Sequence, residues 1–102
     1  MQDLPVACSL TGPELQERRS RLLEKVAAAM QEVKELENGF AYRFPPDEDW
    51  IQVLANLIAL ERQCCPFLEF DLRLGPGQGP IWLELTGPEG AKEFLTTLFS
   101  VN

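Results

Sequence analysis

A chain of 102 residues is the size of one ordinary domain, and at 45% hydrophobic it holds enough Leu, Val, Ile and Phe to build a core without disulfides or structural metal. It contains no histidine, which excludes a Ser-His-Asp triad, a Cys-His dyad, an HExxH zinc site and a two-His-one-carboxylate iron site. Nine basic against sixteen acidic residues leave a formal charge of -7, which repels phosphate backbones and anionic lipid, so no nucleic acid and no membrane is expected as a partner.

In chain order, Val6, Cys8 and Leu10 alternate with the smaller Ala7 and Ser9, the pattern of a short strand that turns Cys8 toward a core. Thr11 with Glu14 three residues on, and Pro13 between them, forms a capping box. Leu15, Leu22, Val26, Met30, Val33 and Leu36 then recur at helical spacing until Asn38 and Gly39. This predicts one long helix of roughly two dozen residues, on the order of 35 Å, lying across the whole sheet. The basic cluster Arg18, Arg19 and Arg21 falls inside it among Glu14, Glu17 and Glu24, where the expectation is a solvated face laced with i,i+4 pairs.

Phe40, Tyr42 and Phe44 alternate with Ala41 and Arg43 as a second strand, which Pro45 and Pro46 end. Asp47, Glu48 and Asp49 place negative charge on the first turn of a second helix, whose Trp50, Val53, Leu54, Leu57, Ile58 and Leu60 run down to Pro66. Leu68, Phe70, Leu72 and Leu74, then Ile81, Leu83 and Leu85 after the turn Gly75 to Pro80, read as a hairpin with one buried face. That glycine-rich turn lacks the Lys-Ser/Thr ending of a phosphate loop. Thr86 to Glu89 repeats the Thr-Gly-Pro-Glu of Thr11 to Glu14 and leads into a third helix carrying Ala91, Phe94, Leu95 and Leu98.

The expected order is βαβαββα over residues 1–102. It forms a single α+β domain, a two-layer sandwich with a four-stranded mixed sheet and the helices on one face. Alternation puts Trp82 with Glu69, Asp71, Arg73 and Glu84 on the opposite face, where it marks either a homodimer contact or a single exposed aromatic.

No serine has a nucleophile-elbow setting, and no carboxylate pair stands out from the helical surface. The chemistry-bearing residues that remain are Cys8, Cys64 and Cys65, with Glu61 at i,i+3 and i,i+4 from the vicinal pair. If the first strand runs up, the second helix runs down and returns Cys64 and Cys65 to the sheet edge near Cys8. Soft thiolates select Hg(II) or As(III), while zinc wants a fourth ligand such as Glu61 or water. Three cysteines cannot all pair within one chain, and no secretion signal is visible, so reduced thiols in a cytoplasmic setting are expected. The bland alternative is that the cysteines are small buried hydrophobes.

At these residues the sequence resembles a family of small bacterial proteins of uncharacterised activity, found alone or joined to heavy-metal-responsive regulators of the MerR type. The likeness spans nearly the whole chain. It rests on Cys8-Ser9-Leu10-Thr11, Arg43-Phe44-Pro45, the run Glu61-Arg62-Gln63-Cys64-Cys65-Pro66-Phe67, and Trp82 through Leu85-Thr86-Gly87-Pro88-Glu89-Gly90 to Phe94-Leu95. The Glu-Arg-x-Cys-Cys-Pro-Phe run is its most specific part. The resemblance implies a role in sensing or handling heavy metals, with Cys8, Cys64 and Cys65 as ligands and Glu61 as a fourth or supporting group. No DNA-reading helix-turn-helix accompanies them.

Three functions follow in order of preference. The first is a soluble heavy-metal-binding protein taking Hg or Zn. The second is a metal-independent interaction module, binding a partner or a second copy through the Trp82 face. The third is a thiol-dependent enzyme.

Overall fold

The computed structural model describes residues 12–99, so the strand expected over Val6 to Leu10, and Cys8 with it, lies outside the described residues. The elements are α1 (Pro13–Ala29), β1 (Glu32–Leu36), β2 (Gly39–Phe44), α2 (Glu48–Cys64), β3 (Glu69–Leu74), β4 (Ile81–Thr86) and α3 (Ala91–Leu98). The architecture is α+β, with three helices and one open four-stranded sheet in the order β1-β2-β4-β3 among the described residues.

Two details differ from the sequence expectation. Among the described residues the sheet is antiparallel at every pairing and not mixed. The long first helix stops at Ala29, and its expected last turns form β1 instead. Val33 and Leu36 fit helical spacing, but residues 32–36 pair in register with β2, from Glu32 opposite Arg43 to Leu36 opposite Gly39. Met30 leaves the helix with extended backbone, φ -62 and ψ 125. Asn38-Gly39, which also ends helices, is here part of a tight hairpin connection. Tertiary pairing therefore overrides a weak helical preference.

Gly39 is required by contact. A Cβ there would lie 1.9 Å from the Leu85 carbonyl oxygen on the neighbouring β4. α1 begins at a Gly12 N-cap with Pro13 in the first turn, and α3 begins after Gly90 in the left-handed region, φ 95. No side-chain cap bond forms at the start of α3, so the expected capping role of the second Thr-Gly-Pro-Glu run is taken over by Gly90, while Thr11 of the first run lies outside the described residues.

Strand alternation sorts the sheet faces. Tyr42 and Phe44 of β2 and Ile81, Leu83 and Leu85 of β4 are buried on one face. Leu23 and Val26 of α1, Leu54, Leu57 and Leu60 of α2, and Ala91 and Leu95 of α3 join them in a single core, so the helices cover that face. Arg19 of α1 meets Glu61 of α2, while Lys25 lies 6.0 Å from the Trp50 ring, which makes α1 and α2 antiparallel. The C-terminal end of α2 is thereby brought beside the N-terminal half of α1. The other sheet face carries Trp82, half-buried, with Lys34 Nζ 4.7 Å from its ring centroid and the Arg73–Glu84 ion pair at 3.1 Å beside it. No described helix is long and apolar enough to cross a membrane.

Candidate functional site

Glu61, Cys64 and Cys65 sit at the C-terminal end of α2. Glu61 and Cys64 are one helical turn apart on the side that α2 turns to the core, and their exposures are 1% and 0%. Cys65 is the helix C-cap. Pro66 disfavours helical backbone in the residue before it, and Cys65 adopts φ -123 and ψ 71. Its N–H still donates to the Glu61 carbonyl at 2.6 Å, and its carbonyl accepts from the Leu68 N–H at 3.1 Å. The thiol therefore stays over Glu61 although the chain is already turning toward β3.

The Glu61 carboxylate is held from two sides. Arg19 Nε donates to Oε1 at 2.6 Å and Arg19 Nη2 to Oε2 at 3.3 Å, a two-pronged pair. The Cys65 thiol donates to Oε2 at 3.3 Å, and Arg19 Nη2 also reaches Cys65 Sγ at 4.0 Å. Burial pushes the Cys65 thiol up to about 12, and the negative charge and hydrogen bond of Glu61 add to the rise, against a smaller opposing effect of Arg19. That direction is opposite to the one that activates a nucleophilic thiolate, so an enzyme working through Cys65 gains no support.

One ligand atom from each of Glu61, Cys64 and Cys65 lies within 4.8 Å of the others. Two sulfurs each about 2.3 Å from one ion are at most about 4.6 Å apart, so the spacing suits a shared thiophilic ion after little movement. Cys64 is disulfide-bonded, however, and Cys65 carries the free thiol. The expectation of reduced thiols came from compartment, which carries no information on sulfur geometry, and at Cys64 the structure differs from it. An ion held by both sulfurs requires the reduced form.

Of the four residues singled out from the sequence, Glu61, Cys64 and Cys65 come together, and Cys8 lies outside the described residues. The solvated charged face expected for the basic cluster suits Arg21, paired with Glu17 on that face, but not Arg19. The signal was present. Arg19 is four residues from Leu15, three from Leu22 and seven from Val26, so it lies on the apolar stripe of α1, where a guanidinium needs a buried counter-charge. Compared with family models, curated proteins and solved structures, the chain matches none.

Proposed function

We propose that the reduced chain binds a thiophilic metal ion, Hg(II) or Zn(II), through Cys65, Cys64 and Glu61, as an accessory to heavy-metal sensing or resistance. The observation that supports this is the mutual approach, within 4.8 Å, of two sulfurs and a carboxylate oxygen at one buried helix end. Cys8 is the third sulfur that the sequence offers. The ion would supply a charge that replaces the thiol proton, and Arg19 would give up part of its hold on Glu61. Hg(II) needs only the sulfurs, whereas Zn(II) also needs Glu61 and a further ligand, so the proposed site favours the softer ion. This reading calls for a reducing compartment such as the cytoplasm.

The test is native mass spectrometry of fully reduced protein titrated with Hg(II) and Zn(II) against a competing small thiol, beside Cys8→Ser, Cys64→Ser and Cys65→Ser. One ion per chain is expected, with loss in the Cys64 and Cys65 variants and release of protons on binding. Binding no tighter than that of the competing thiol would make the cysteines core packing. The second reading, a metal-independent interaction module on the open sheet face, is supported by Trp82, which stands half-buried on the face that the helices leave uncovered. Loss of partner capture on Trp82→Ala, with metal binding intact, would favour it.

A further inference from the structure

Among the described residues β1 is an outer strand of the sheet, and its residues Glu32 to Glu35 are exposed. The Arg43 carbonyl accepts a bond from the Gln31 N–H at 2.8 Å, so it faces β1. By the alternation of an antiparallel ladder, Glu32, Lys34 and Leu36 turn their backbone groups toward β2. Val33 and Glu35 turn theirs outward, to the edge that no other described strand covers. The side chains alternate as well. Val33, opposite Tyr42, stands on the helix-bearing face and is 53% exposed, while Glu32 and Lys34 stand on the Trp82 face with 44% and 60% of their side chains exposed.

We infer that β1 is the interface for a second copy of this chain, paired edge to edge and antiparallel about a twofold axis through Val33, normal to the sheet. In that register Val33 faces Val33 of the other copy. Its outward N–H and carbonyl form a reciprocal bonded pair, and Glu32 faces Lys34 twice, once on each side of the axis.

The neighbouring registers of the same symmetry are excluded by charge. Centring on Lys34 sets lysine against lysine, centring on Glu32 or Glu35 sets glutamate against glutamate, and like charges directly opposite are destabilising. An apolar groove of about 220 Å³, lined by Met30, Val33, Phe40, Tyr42, Leu95 and Phe99, adjoins Val33, so the pairing extends apolar surface from one copy to the other. Within one chain Glu32 lies 4.0 Å from Lys34 and 3.7 Å from Arg43. Such exposed pairs are worth little and can be exchanged for contacts between copies.

The experiment is sedimentation equilibrium of the full chain over a wide concentration range. The mass is expected to rise from 11.5 kDa toward twice that value. Glu32→Lys places lysine against Lys34, and Lys34→Glu places glutamate against Glu32, so each single variant is expected to remain monomeric. An equimolar mixture of the two, one of them isotopically labelled, restores both attractive contacts and should give heterodimers in native mass spectrometry. The double variant E32K/K34E should again self-associate. Both residues are exposed, so circular dichroism should show the variants folded. A wild-type monomer at every concentration would overturn the inference. So would a dimer indifferent to both single variants, or single variants that fail to recombine.

Discussion

Replacing either partner of the Arg19–Glu61 pair by leucine should destabilise the chain unequally. The Glu61 side chain is 1% exposed and that of Arg19 is 16% exposed. Arg19→Leu strands a carboxylate in the core, whereas Glu61→Leu strands a guanidinium whose long stem can carry it to water. Breaking a buried pair from one side costs about 3–5 kcal/mol, so Arg19→Leu is expected at about 4 kcal/mol. The escape route lowers Glu61→Leu to about 2 kcal/mol. Apolar replacement of both partners removes the stranded charge, and the double variant should be no less stable than Glu61→Leu. The resulting coupling of about 4 kcal/mol matches two unit charges about 4 Å apart at an effective dielectric constant of about 20. Urea unfolding followed by circular dichroism at about pH 7 measures these differences, with midpoints moving at constant slope. Equal costs for the two single variants would refute the reasoning.

The buried Cys65 thiol predicts alkaline sensitivity. Because the folded chain holds this proton more tightly than the unfolded chain, its contribution is fully present below the ordinary thiol value of 9.0 and is lost as the pH rises toward about 12. Tyr42, raised by burial, acts with the same sign. Urea midpoints measured across this range should fall more steeply for the wild type than for Cys65→Ala, and equal slopes would count against it. Gly39→Ala should destabilise by more than about 3 kcal/mol, since its Cβ would meet the Leu85 carbonyl oxygen at 1.9 Å and the contact is with backbone. Amide exchange across β2 and β4 would speed up in that variant, and unchanged protection would show that the ladder absorbs the methyl group.

Much of the fold was legible because periodicity and burial agree where an element is half-buried. Phe40, Tyr42 and Phe44, and Ile81, Leu83 and Leu85, alternate in sequence, and both sets contribute to the same face of the sheet. The α2 pattern from Trp50 to Leu60 likewise predicts the helix that carries Glu61 and Cys64, and Pro66 predicts where it ends. β1 was not legible. Glu32 to Leu36 is an exposed edge strand with one apolar residue on each face, Val33 and Leu36, and two such residues three apart fit a helix as readily as a strand.

The sequence by itself determined the residue types available for chemistry. Without histidine the choice reduces to thiols and carboxylates, and Glu61 is placed beside Cys64 and Cys65 by helical spacing alone, since residues three and four apart share a face. Only the tertiary structure decided the proton affinity of the Cys65 thiol. Arg19 is 42 positions from Glu61, and nothing local joins them. The antiparallel packing of α1 on α2 brings the guanidinium to the carboxylate and seals the Cys65 thiol beneath both. Proton affinity depends on solvent exclusion and on charges gathered from distant parts of the chain, and these exist only once the helices have packed.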